Sequence, residues 1–186
     1  MRHPKLSLGQ KLDLQQISGA LGVDPSDIDS RFPIQEASTG FPSIIIPLKT
    51  LDSLKHVKVV RDRYFELIER NEAKALLAFA PAAFSAKNHM TVRVFAEYYG
   101  TVEDPATGSA NGALAGYLSH YKYFGSDRVD VRVEQGTEIG RPSLLFLQAH
   151  GESPNIAISI GGRVQLFAKG TVEAAIAETV TTNLRG

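Results

Sequence analysis

The sequence predicts an α+β fold in which a curled antiparallel sheet wraps a central helix. Three observations carry that prediction. Short strand-patterned segments cluster after residue 74, and they are separated by Gly-rich turns. One segment, from Gly108 to Tyr121, has helical periodicity but no charged face, and such a helix is buried all round. Within it Gly112 and Gly116 each cost roughly 1 kcal/mol of helix propensity, a cost that close approach of surrounding strands would explain.

The bulk properties fit one domain. The chain has 186 residues, 43% hydrophobic and 22% charged, an ordinary globular balance. Lys plus Arg and Asp plus Glu both number 20, so the formal net charge is zero. No basic stripe is present to neutralise phosphates, which argues against a nucleic-acid partner. No apolar run approaches the ~20 residues that cross a bilayer, and MRHPKLSLGQ lacks the apolar core of a signal peptide. A soluble cytoplasmic protein without a membrane partner is therefore expected. The absence of cysteine removes disulfides, thiolate metal sites and cysteine acid/base chemistry together. His3, His56, His89, His120 and His150 are scattered without a pair at ligand spacing, so no metal is expected.

Along the chain, LSLGQKLDLQQISGALG reads as a first amphipathic helix through Leu12, Leu14, Ile17, Leu21 and Val23. DPSD at 24–27 is a turn. STGFP at 38–42 is another, and it precedes an apolar run from Ile44 to Leu48 that reads as a buried strand. KHVKVV alternates and reads as a strand, and RDRYFELIERNEA as a short helix. Then follow the strands KALLAFA and MTVRVFAEYY, the helix from Gly108, and the strands DRVDVRVEQG, PSLLFLQAH, NIAISIGG and RVQLFAKG. The tail TVEAAIAETVTTNLRG reads as a weak helix, because Thr and Val lower its propensity.

Chemistry concentrates in EDPATGSANGALAGY, residues 103–117. Pro105 biases Asp104 to an extended conformation, so the chain arrives as strand or loop. Thr107 or Ser109 can cap the helix, and Gly108 lets the backbone approach a partner without a Cβ in the way. The result is a helix start with free N–H donors and a hydroxyl beside them, suited to a small carboxylate or phosphate. Asp104 stands on the near side of the same turn, within reach of such an anion, where a carboxylate can serve in proton transfer. Acids at a helix start also simply complement the dipole, and Glu103 is assigned to that role or to the surface. No Lys follows the second Gly, so this is not a P-loop. The glycine that a nucleophile elbow needs two residues before the Ser is also missing. Thr39 and Gly40 read as turn residues, Arg141 as a surface arginine, His89 as uninvolved, and Tyr117, Tyr121, Tyr123 and Phe124 as core and rim.

VRVFAEYYGTVEDPATGSA resembles the signature of the PhzF family, the phenazine-biosynthesis-like proteins that share the diaminopimelate epimerase fold. Glu97 stands where a proline is commoner. STGFP, VEQGTEIGRPS at 133–143 and ISIGGRVQLFAKG at 158–170 resemble the same family in the same order. The resemblance implies a β-barrel around a central helix at about 108–121, as one of two similar halves with the active site between them. It further implies an isomerase or epimerase that moves a proton on a small carboxylic acid by carboxylate acid/base chemistry, without metal or organic cofactor. Asp104 matches a catalytic position. Gly108 and Ser109, with Thr107, match the seat of the substrate carboxylate, and Gln135 and Gly136 match the cleft wall. The lack of cysteine separates the chain from similar racemases that use paired cysteines. The resemblance covers the crossing segment and the C-terminal half. The family's principal glutamate acid/base and a substrate-holding Gly-His pair belong to the N-terminal half and find no counterpart in residues 1–186. Pairing with a second chain, as a homodimer or with an N-terminal-half chain, is therefore expected. The alternative is a non-catalytic or truncated half-protein.

Overall fold

Why two central strands are almost wholly apolar becomes plain from their neighbours. In the computed structural model, which describes residues 1–153 and 155–171, nine strands form one sheet. They are β1 (Ser7–Lys11), β2 (Gln35–Ser38), β3 (Ser43–Pro47), β4 (Ala75–Ala80), β5 (Met90–Ala96), β6 (Thr101–Asp104), β7 (Val129–Gln135), β8 (Ser143–His150) and β9 (Ala157–Gly162). The helices are α1 (Leu14–Leu21), α2 (Leu51–His56), α3 (Arg61–Glu69) and α4 (Gly108–His120). The sheet order is β1-β2-β3-β4-β5-β7-β8-β9, with β6 also paired to β5. β3 and β4 are buried along their whole length. On one face they meet α1, α2 and α3 through a cluster that includes Ile17, Ile44, Ile46 and Tyr64. On the other they meet α4 through Ile45, Leu77, Phe79 and Tyr117. Strands covered on both faces read as continuous apolar runs, as IIIP and ALLAFA do.

The sheet is mixed rather than wholly antiparallel, because β3 runs parallel to β4 and β5 parallel to β7. Parallel neighbours need a crossover. The segment with α2 and α3 supplies the first, and the segment with β6 and α4 supplies the second.

Residues 1–3 close the curled sheet around α4. Arg2 bridges Ser159, the His3 N–H donates to the Ile158 carbonyl at 3.0 Å, and the Ile160 N–H donates to the Met1 carbonyl at 2.9 Å. Every residue from Ala110 to Ser119 is buried as a result. A Cβ at position 112 would lie 2.5 Å from His3 Nδ1 and 2.9 Å from Thr39 Oγ1. One at position 116 would lie 2.8 Å from Leu6 Cδ1 and 2.9 Å from Ile158 Cδ1. The two glycines thus mark where neighbouring chain presses on the helix.

Four readings of the sequence need correction. LSLGQKLDLQQISGALG is not one helix. Asp13 caps α1 by accepting from the Gln15 and Gln16 N–H groups, and residues 7–11 pair with β2 instead. KHVKVV is not a strand, since Thr50 caps α2 and that helix runs through His56. The link that follows donates the Lys58 and Val60 N–H groups to the Leu21 and Ala20 carbonyls at the end of α1. TVED, read as part of the approach to the helix, is the strand β6. RVQLFAKG is not a strand either, and its Val164, Leu166 and Phe167 are 96%, 83% and 98% exposed. The outer edge of β9 that it would have paired with is held by Met1–His3. Most of the tail read as a weak helix, residues 172–186, lies outside the described residues. Among the described residues, no helix is long and apolar enough to cross a membrane.

Gly112→Ala should lower stability in urea unfolding by about 1–3 kcal/mol through overpacking against His3 and Thr39, although alanine gains roughly 1 kcal/mol of helix propensity. A stabilised variant would show that the contact at Gly112 yields without cost.

Candidate active site

Two buried polar clusters, one on each side of β6, fix the turn that leads into α4. On the outer side, Arg93 of β5 donates from Nε and Nη2 to the Glu103 carboxylate at 2.9 and 2.7 Å. Its Nη1 donates to the Leu54 and Val57 carbonyls at 3.1 and 3.0 Å. The two side chains are only 11% and 7% exposed. Glu103 is therefore an interior ion-pair partner, not the dipole or surface acid that the sequence suggested. Successive strand residues point to opposite faces, so sending Glu103 toward α2 sends Asp104 toward the start of α4.

On that inner side, Thr107 Oγ1 donates to Asp104 Oδ2. Gln135, at the end of β7 and fully buried, uses its whole amide on the same turn. Its Oε1 accepts from the Thr107 N–H at 3.2 Å and from Asn111 Nδ2 at 2.8 Å. Its Nε2 donates to the Asp104 carbonyl at 2.7 Å and to Thr107 Oγ1 at 3.0 Å. Asn111, also fully buried, donates from Nδ2 to the Thr107 carbonyl at 2.9 Å. Gly136 follows with φ of 80°, and a Cβ there would lie 2.4 Å from the Arg141 carbonyl oxygen and 2.8 Å from that of Pro105. Gln135 and Gly136, which the resemblance matches to a cleft wall, both hold the turn.

The other expected site residues gather at the helix start. Thr107 stands at the N-cap, but neither it nor another side chain caps α4, so the first-turn N–H groups keep the donors that every helix start leaves free. A Cβ on Gly108 would meet nothing within 4 Å. Ser109 is partly exposed. A cavity of about 590 Å³ adjoins this end and is lined by His3, Ala106, Gly108, Ser143, Ile160 and Arg163 among others. A second cavity of about 300 Å³ lies far away, between α1 and α3. The helix start thus has the features of an anion seat, with a hydroxyl-bound carboxylate three residues before the N-cap. Among the described residues, no three His, Asp or Glu side chains group as metal ligands.

Sequence reasoning missed His3, Asn111 and Arg93. His3 Nδ1 lies 3.0 Å from Thr39 Oγ1, and Thr39 Oγ1 lies 3.5 Å from the Ser109 carbonyl oxygen. Burial first, and the N-terminal ammonium second, push the His3 imidazole below its ordinary pKa. Thr39 is 4% exposed, so the turn it belongs to packs on α4. The one available signal was Asn111, four residues after Thr107 and on the same helix face. His89 Nδ1 accepts from the Arg132 N–H at 2.9 Å, and Tyr117 donates to the Pro33 carbonyl at 2.7 Å. Both side chains are engaged with backbone groups.

The family described as phenazine biosynthesis-like protein, PhzC-PhzF, matches residues 3–170. The chain belongs to this family. A relative from Pseudomonas fluorescens, trans-2,3-dihydro-3-hydroxyanthranilate isomerase, is 32% identical over 89% of the chain and 54% of its own length. A protein of Bacillus subtilis named as an uncharacterized isomerase is 26% identical over 81% of the chain and 51% of its own length. Among solved structures, a PhzF-family protein from Bacillus anthracis superposes with a TM-score of 0.77 at 28% identity, covering 87% of the chain and 56% of that protein. A predicted epimerase from Pseudomonas aeruginosa gives 0.69 at 26%, covering 94% and 58%. The chain spans about half the length of these relatives, and within that span its fold is the PhzF/epimerase fold.

Removing one partner of the Arg93–Glu103 pair leaves a buried charge unmatched. Glu103→Gln should therefore cost about 3–5 kcal/mol of unfolding free energy, whereas replacing both residues with apolar side chains of similar volume should cost much less. Equal losses in the single and double variants would show that the pair is not coupled.

Proposed function

We propose that this chain forms one wall of an isomerase site that moves a proton between carbons of a small carboxylic acid. The observation that carries the reading is the Thr107–Asp104 contact at the uncapped start of α4. In this reading, Asp104 takes or gives the proton. The Gly108 and Ser109 N–H groups and the Ser109 hydroxyl hold the substrate carboxylate, because free donors and the helix dipole favour an anion there. One C–H bond breaks and another forms, with no net change of electrons, so carboxylates suffice as acid and base. The second acid/base group comes from outside the described residues. Relatives named trans-2,3-dihydro-3-hydroxyanthranilate isomerase, 30–32% identical, make that compound the first substrate to try.

Asp104→Asn should reduce turnover of trans-2,3-dihydro-3-hydroxyanthranilate, followed by deuterium uptake from D2O, by about 100-fold or more. An unchanged rate would remove Asp104 from the proton path.

A second reading, a half-module that associates without turnover, is favoured by one observation. Val164, Leu166 and Phe167 stand exposed in succession after β9, and contiguous apolar side chains mark association surfaces. A homodimer, or a pair with an N-terminal-half chain, would cover them. Sedimentation of the chain alone should give a dimer that Leu166→Asp weakens. A monomer at all concentrations would exclude the homodimer.

A further inference from the structure

We infer that Gln135 is a positioning residue for the proton transfer assigned to Asp104: its amide sets the direction of the Thr107 hydroxyl proton and thereby which Asp104 oxygen exchanges protons with substrate. The inference rests on the isomerase reading above and deepens it. Its basis is that two backbone groups settle the orientation of the Gln135 amide. The Thr107 N–H can only donate, so the atom it meets is Oε1. The Asp104 carbonyl can only accept, so the atom it meets is Nε2. A flipped amide would set donor against donor and acceptor against acceptor at both contacts. Asn111 adds a second lock. Its Nδ2 is fixed by the Thr107 carbonyl and donates to the same Gln135 Oε1.

With Nε2 so placed, its second hydrogen goes to Thr107 Oγ1 at 3.0 Å. Thr107 must accept there, and its single hydroxyl proton is left for Asp104 Oδ2. A hydrogen bond to a charged acceptor is stronger than one to a neutral acceptor, so Oδ2 is held as the hydroxyl-bonded oxygen of the carboxylate. Oδ1 receives no hydrogen bond from the described residues, and it is not among the buried unpartnered atoms. It is the oxygen that remains to take or give a proton. Gln135 itself is fully buried, so it acts through Thr107 and does not touch substrate. Because every partner is fixed before substrate arrives, the carboxylate needs no reorientation when the reaction begins.

The test compares Gln135→Glu, which keeps the side chain's shape but loses both Nε2 donors, with Thr107→Val, which keeps the shape but loses the hydroxyl. Thr107→Ser serves as the rescue. Two measurements are made on the whole chain: kcat and KM for trans-2,3-dihydro-3-hydroxyanthranilate, and the Asp104 ¹³Cγ resonance at fixed neutral pH. The expected result is a fall in kcat of about 10- to 100-fold in Gln135→Glu and Thr107→Val, with KM within about threefold. The Asp104 resonance moves in both variants and returns toward its original position in Thr107→Ser. Unchanged kcat in Gln135→Glu, or an unmoved Asp104 resonance, overturns the inference. Should Gln135→Glu fail to fold, Thr107→Val carries both readouts. If the unmodified chain does not turn over this compound even as a homodimer or with an N-terminal-half chain, the isomerase reading fails for that substrate. The resonance then decides the Gln135 relay by itself: movement supports it and constancy overturns it.

Discussion

Among the described residues, the inner core is arranged around a helix with no room at its sides. α4 meets neighbouring chain at Gly112 and Gly116 so closely that a single added carbon would fall inside van der Waals contact with His3, Thr39, Leu6 or Ile158. A helix packed this tightly gains dispersion contacts in every direction, but only if the sheet curls fully around it. The parallel pairings β3–β4 and β5–β7 bring that sheet round. The outer helices α1, α2 and α3 then cover its far face. The small-residue stripe of α4 is therefore the condition for closing the core, and the start of the same helix is where the candidate chemistry sits.

The turn into α4 inherits its stiffness from groups that are costly to bury. Arg93 and Glu103 are taken out of water together and bind one another, while the carbonyls of Leu54 and Val57 accept from the Arg93 Nη1. On the opposite side the amides of Gln135 and Asn111 lie beyond solvent and are anchored to the turn's own backbone. A partly satisfied polar network would favour several geometries; the near-complete pairing of this one favours a single arrangement. β6 is short and carries exposed Thr101 and Val102. Its position comes from what Glu103 and Asp104 bind, with little help from apolar burial.

The helix α4, the buried strands β3 and β4 and the EDPATGSA turn were legible in the sequence because each is dictated by local pattern. Apolar runs, an uncharged helix and a proline before a Gly-Ser turn have few other solutions. The failures share a different origin. KHVKVV alternates as a strand would, yet hydrogen bonds to the end of α1 outweigh that preference. Leu8 and Leu12 fit a helical period as well as a strand, and only the pairing with β2 and the Asp13 cap separate them. Of the two acids of the turn, Glu103 reads in the sequence as a dipole or surface partner and Asp104 as the proton-transfer group. Arg93, ten residues upstream, decided that Glu103 turns inward to an ion pair. Gln135 matches a cleft wall by resemblance alone, and its hydrogen-bond partners come from a segment 24 to 31 residues earlier. No local pattern encodes such partners.

The curl of the sheet is finished where residues 1–3, ahead of β1, meet β9. The Met1 ammonium donates to the Ile160 carbonyl at 2.7 Å across 159 residues of sequence. During synthesis the opening residues leave the ribosome long before β9 exists, so the seam around α4 stays open until nearly the whole described chain has emerged. Contacts of such long range are slow to form because the loop must close before they contribute. In that interval Ile158 and Ile160 are not yet available to cover α4, and the nascent chain carries an unsealed apolar face. Which segment reaches the outer edge of β9 first, the waiting residues 1–3 or the strand-patterned stretch after Gly162, is a question of timing along the chain as well as of final energy.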